Sequence, residues 1–239
     1  MLVRAKSSAE IFDTSWFGRY HGVMTDTSKP RGPYAKTAAK RAAVARAAYD
    51  VVIEKGHRGL TTAEVAERAG ISERAMLYHF PSRDHLLIAA MQFDEQRNAE
   101  RAQDRELSGS EDALYRIPQA FARQGMQHAE TLRLFSYLAS AAQDPEHPAH
   151  DYMRAHNAAA VEGFASLVRS RQRKGLAHPD IDPETAARQM LGAWNGLQSQ
   201  WLIDPSFDLA DEVTQAFRRL SGQPTMEARA LLDDLLTRI

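Results

Sequence analysis

The chain has no cysteine among its 239 residues, which excludes a disulfide framework, a thiolate metal site and a cysteine nucleophile together. The fold must hold by packing alone, as suits a reducing cytoplasm. Long apolar runs are also missing. None approaches the roughly 18 residues of a membrane helix, and the N-terminus lacks the charged-then-apolar order of a signal peptide. The expected location is the cytoplasm, with no membrane partner. Strand-like alternation bounded by hairpin dipeptides is absent as well, and the 13 Gly and 10 Pro fall mainly at junctions between helical stretches. An all-α fold is predicted. Nucleophile–base pairings, glycine-rich phosphate loops and carboxylate motifs of recognisable spacing are not found, so no catalytic residue, cofactor or metal is expected.

What is present starts with a core, since 44% hydrophobic residues suffice for one larger or two small domains. The net charge of −1 hides an asymmetry. Residues 1–80 hold 13 Lys and Arg against 8 Asp and Glu, and the remainder 17 against 23, so the front is basic and the back acidic. Lys29, Arg31, Lys36, Lys40, Arg41 and Arg46 follow one another with no acid before Asp50. Such a run attracts a polyanion through counterion release or forms a solvated basic face. Residues 1–33 show no period and include Lys29-Pro30-Arg31-Gly32-Pro33, which predicts a flexible basic arm. Met24 is an alternative start.

From about Lys36, Val44, Ala48, Val51 and Val52 recur at helical spacing until Gly56, predicting a first core helix. In LTTAEVAERAG, Thr61 and Glu64 form a capping box that starts a second helix, which ends at Gly70. Ser72 is the next N-cap, and the turn between is too short for anything but a sharp crossing. The pair makes a helix-turn-helix. Ile71, Met76 and Phe80 lie at the rear of the third helix, anchoring it on Val65, Ala66 and the first helix. Glu73, Arg74, Tyr78 and His79 then face outward. Arg forks onto guanine, Glu accepts from cytosine, Tyr and His donate to phosphate, and Ala75 and Leu77 meet thymine methyls. A helical hairpin with a charged outer face has the same pattern.

An ordered string runs through Gly56, Leu60-Thr61-Thr62, Val65-Ala66, Ala69-Gly70-Ile71-Ser72, Tyr78-His79-Phe80, Ser82-Arg83-Asp84 and Leu86. Over Lys36 to Leu87 it resembles the N-terminal domain of the TetR/AcrR family of bacterial transcriptional regulators. The resemblance implies that Thr62, His79 and Arg83 touch phosphates and that Glu73, Arg74 and Ala75 lie at base-reading positions. Thr61, Ser72, Leu77, Tyr78, Lys29, Arg31 and Lys36 complete the expected DNA-binding set. Leu77 is a departure, because many members carry Tyr there and this chain has it one residue later. The resemblance further implies a DNA-binding domain over 34–84 and a helical effector-binding and dimerisation domain over 85–239. The implied partners are a second copy, a double-stranded inverted-repeat operator and a small-molecule effector.

Beyond residue 88, breaks are predicted near Ser108-Gly109-Ser110, Asp144 to Pro148, Gly175 to Pro183, Asp204-Pro205 and Gly222 to Pro224, with a kink or late start at Pro118. Five or six helices result. Asp182 and Pro183 begin one with an apolar stripe through Ala187, Met190, Leu191, Trp194, Leu197, Trp201 and Leu202. Leu209, Val213, Phe217 and Leu220 form a second stripe, and Leu231, Leu232, Leu235, Leu236 and Ile239 a third. One core can absorb all three; by the resemblance, such late helices pair across a two-fold axis. Phe135, Tyr137, Asn157, Phe164, Trp194, Asn195 and Gln198 mix aromatic and polar groups as a ligand pocket does, although aromatics at helical spacing also build cores. His147, His150 and His156 lack metal-ligand spacing. The reading is a homodimeric, ligand-responsive DNA-binding regulator, a repressor; the alternative is an all-helical enzyme with an incidental basic front.

Overall fold

A computed structural model of the chain describes residues 33–104, 119–120, 122–123 and 125–238. The expected arm with Lys29 and Arg31, the break at Ser108-Gly109-Ser110 and the kink at Pro118 lie outside them. Among the described residues there are nine α-helices and no strand. Helix α1 (Pro33–Lys55) buries Val44, Ala48, Val51 and Val52 almost completely, and begins three residues ahead of Lys36, the expected start. It stops where Gly56 adopts φ +72°, a conformation that a Cβ disfavours. A single 3-10 turn (His57–Gly59) leads to α2 (Thr62–Arg68), α3 (Glu73–His79) and α4 (Arg83–Asp104).

The caps sit where the sequence puts them, with one change. Thr61 Oγ1 accepts from the Glu64 N–H at 3.3 Å, and Ser72 Oγ from the Ala75 N–H at 3.3 Å. The Glu64 carboxylate, however, does not serve as the other half of the capping box. It takes Lys55 Nζ at 2.7 Å and Arg68 Nη2 at 2.6 Å, since two cations within reach outcompete a neutral N–H. Lys55 and then Arg68 hold its pKa below the usual glutamate range. Between α2 and α3, Gly70 at φ +68° lets its own N–H reach Glu67 O and the Ile71 N–H reach Ala66 O, both at 3.1 Å. These two bonds form a Schellman turn, which sets the abrupt crossing of α2 and α3.

Packing divides the described residues into two units, and residues 33–104 with 125–156 make the first. Here α4 lies along α1, and α5 (Ala129–Ala141) packs on both. One cluster joins Val51, Val65, Met76, Leu86, Leu134, Leu138 and, from the start of α6 (Ala149–Arg173), Met153. The same apolar cluster therefore continues past residue 84 into α4, α5 and the start of α6.

The second unit contains residues 157–238. Asp182 accepts from the Thr185 N–H at 2.8 Å to cap α7 (Pro183–Ile203), which packs on α8 (Leu209–Leu220). Ala187, Met190 and Trp194 are buried there, as are Leu209, Val213 and Phe217. The third stripe behaves differently. On α9 (Gln223–Thr237) only the first turn is covered, and Leu231, Leu232, Leu235 and Leu236 are 58–70% exposed. A single core does not absorb all three stripes.

Candidate nucleic-acid interface

Helix α3 is held from behind and open in front. Met76 and Phe80 are buried and Ile71 packs on the same cluster, whereas Glu73, Arg74, Ala75, Leu77 and Tyr78 are exposed. Tyr78 stands furthest out at 83% exposure, against 37% for Leu77, so the one-residue displacement of the aromatic does not bury it. His79 is half-buried, its ring 5.1 Å from Tyr78 in an edge contact. Arg41 of α1 secures the end of this helix, donating to His79 O at 3.3 Å with its guanidinium 4.8 Å from the Phe80 ring centre. Sequence reasoning counted Arg41 only in the basic run. The contact spans 38 residues, and no local signal announces it.

Side chains at the two helix starts also meet. Thr61 and Ser72 accept the capping bonds with a lone pair, so each hydroxyl keeps its proton for another acceptor. Thr62 Oγ1 donates to Glu73 Oε1, tying the first turn of α2 to that of α3. Arg83, implied by resemblance to touch phosphate, is held internally: Nε donates to Leu60 O at 3.1 Å and Nη2 to His57 O. Lys36 lies in α1, with its side chain outside the described set.

Behind Arg83, α5 is fastened to the corner after α1. The Tyr137 ring stacks on His57 with centroids 5.1 Å apart, and its hydroxyl donates to Asp84 Oδ1 at 2.9 Å. Burial, then the Asp84 hydrogen bond, raises the Tyr137 pKa. His147 accepts from the Ala149 N–H through Nδ1 at 3.1 Å, with Nε2 3.5 Å from Asp84 Oδ2. Burial, followed by the Arg58 and Arg83 cations, holds the His57 pKa below the usual histidine value, and its Nδ1 is buried without a hydrogen-bond partner among the described residues. As pH falls through about 6.5, the unfolded chain takes up a proton that the folded chain resists, so stability is lost on acidification. His57→Phe keeps the stack and removes the titration. Between about pH 7.5 and about pH 5.5 it is expected to lose less stability than the parent, by at most about 1.4 kcal/mol per pH unit, as read from urea midpoints.

The family model described as bacterial regulatory proteins, tetR family, matches residues 39–90, and one described as the MftR C-terminal domain matches residues 145–224. The chain belongs to the TetR family. Members are DNA-binding transcriptional regulators and not enzymes, which sets the alternative of a helical enzyme aside. The chain is similar to the HTH-type transcriptional regulator PksA of Bacillus subtilis (strain 168), 23% identical over 169 residues, or 70% of this chain and 80% of that protein. A TetR-family regulator from Rhodococcus sp. shares the fold with a TM-score of 0.60 at 24% identity, over 78% of this chain and 98% of the other. Thermus thermophilus FadR, a TetR-family repressor solved with lauroyl-CoA, gives 0.58 at 20% identity, over 75% and 92%.

In this TetR-family chain the seven expected pocket residues are divided between the two units. Phe135 belongs to the core cluster of the first unit, and Tyr137 forms the contact with His57 and Asp84. Helical spacing cannot distinguish a core aromatic from a cavity wall. Asn157 is exposed on α6. Phe164, Trp194 and Gln198 are buried in the second unit, where Asn195 is half-buried with its Oδ1 sealed from solvent and without a hydrogen-bond partner among the described residues. The three histidines go to separate partners: His147 as above, His150 Nδ1 2.9 Å from Ala142 O, and His156 Nδ1 2.8 Å from Glu95 Oε1. Among the described residues no His, Asp and Glu group is arranged to hold a metal, and no helix is long and apolar enough to cross a membrane. The family match ends at 224, so the exposed stretch of α9 lies beyond it.

Proposed function

We propose that the protein is a cytoplasmic homodimeric repressor that binds an inverted-repeat operator and leaves it when a small, largely apolar molecule enters the second unit. The observation that carries the DNA half is the presentation of α3, with Met76 and Phe80 gripped at the rear and Glu73, Arg74, Ala75 and Tyr78 exposed at the front. A helix held this way offers its outer face to a major groove, and a two-fold pair offers two copies one helical turn apart. In this reading Arg74 forks onto guanine, Ala75 and Leu77 meet methyl groups, and Tyr78, His79, Thr61 and Ser72 reach backbone oxygens. Lys29, Arg31 and Lys36 add affinity that depends on salt. Residues 34–84 carry the reading surface, and residues 85–239 carry effector binding and dimerisation. Arg83 acts here by holding α4 against the corner after α1. The effector half is supported by Asn195, whose buried oxygen has no hydrogen-bond partner among the described residues and lies on the same helix as Trp194 and Gln198, and by the lauroyl-CoA bound to a protein of the same fold.

The test is selection of bound duplexes from a randomised library by the full chain, followed by titration of the winner. An inverted repeat is expected, with affinity falling steeply as salt rises. Arg74→Ala is expected to weaken the selected site by about 1–3 kcal/mol and to relax preference at one base pair in each half-site. Selection of no inverted repeat would overturn the reading.

A further inference from the structure

We propose that Thr62 is a positioning residue for base reading: its hydroxyl fixes the Glu73 carboxylate so that the second carboxylate oxygen selects cytosine. The inference rests on the DNA-binding reading above and deepens it. Thr62 and Glu73 are the first residues of α2 and α3, 11 apart in sequence, and the Schellman turn at Gly70 brings the two helix starts together. The bond between them runs from Thr62 Oγ1 to Glu73 Oε1. A hydroxyl has one proton. While that proton is donated to Glu73 it cannot also be donated to a phosphate oxygen, which offers only lone pairs.

The carboxylate gains from the arrangement. Glu73 is exposed, and an exposed glutamate samples many rotamers that binding would have to freeze. The threonine hydroxyl, on a short β-branched side chain with few rotamers of its own, removes much of that freedom before DNA arrives. A charge-assisted O–H···O⁻ bond is also among the stronger hydrogen bonds available. Oε2 is left to meet the groove. An ionised carboxylate accepts and cannot donate, so it is repelled by guanine N7 and O6 and by thymine O4. It is attracted by the cytosine amino group, whereas in adenine the amino group lies beside the N7 acceptor. Arg74 is the next residue and is also exposed, with the complementary preference for guanine.

The experiment uses the full chain, the selected operator and its single-base-pair variants, with affinities from fluorescence anisotropy and a thermal melt of each protein. Glu73→Ala is expected to reduce the preference for cytosine at one position by about tenfold. Thr62→Val, which keeps the shape and loses the hydroxyl, should reduce preference at that same position by a few-fold, Thr62→Ser should restore it, and Thr62→Val should add nothing in the Glu73→Ala background. If Thr62→Val instead weakens all duplexes alike and leaves the base profile intact, the hydroxyl is a phosphate contact and the proposal fails. Glu73→Ala with an unchanged profile also overturns it. Both failures differ from failure of the broader reading, in which the parent protein selects no repeat at all and the inference falls with it.

Discussion

Arg83→Ala is expected to lower the stability of the first unit by about 2–4 kcal/mol, from the loss of two charge-assisted bonds to part-buried carbonyls. Nε reaches Leu60 O and Nη2 reaches His57 O, so one guanidinium closes the corner between α1 and α2 from the first residue of α4. No water replaces it easily, because the Tyr137 ring lies against His57 on the same corner. Arg83→Lys should recover little, since an ammonium lacks the planar fork that serves two carbonyls at once. The measurement is a urea midpoint without DNA. A phosphate contact alone would leave that midpoint unchanged and weaken every duplex equally, and such a result would return Arg83 to the role its family resemblance implies.

Met76→Ala is expected to cost about 2–5 kcal/mol, the range for emptying a core site that cannot fully collapse. Met76 is completely buried where α3 meets α1 and α2. A helix of seven residues has no stability of its own in water, and α3 exists because Met76 and Phe80 are gripped. The loss should therefore concentrate on this helix. Amide exchange in α3 is expected to accelerate more than in α4, and operator preference to fall further than for Arg74→Ala. A midpoint shift below about 1 kcal/mol would mean that the neighbours close over the gap.

Local chemistry made most of the first unit legible. Thr61 and Ser72 cap the helices their spacing announces, as Asp182 does in the second unit, Gly70 takes the left-handed turn, and the α1 stripe is buried as its period requires. What could not be read were bonds between side chains brought together only by folding: Arg41 to His79, Thr62 to Glu73 and Arg83 to the His57 and Leu60 carbonyls. The diversion of Glu64 from its capping role belongs with these, because Lys55 lies in another helix. Pocket residues were harder still. Phe135 and Trp194 recur at the same helical spacing, and only the packing shows that Phe135 is part of the core of the first unit. The leucines of α9 have a core-like period and yet lie open, since a period describes one face and not what covers it.

The outward stance of Tyr78 has a practical use in spectroscopy. With no thiol elsewhere in the chain, Tyr78→Cys creates a single attachment point at the reading surface, where a nitroxide gives up only the edge contact with His79 and leaves the buried face of α3 intact. In a homodimer the two labels would report the separation of the paired reading helices through their dipolar coupling. A distance distribution near the roughly 34–36 Å of one duplex turn would identify the operator-competent population, and its width would show how far the free protein already samples that geometry.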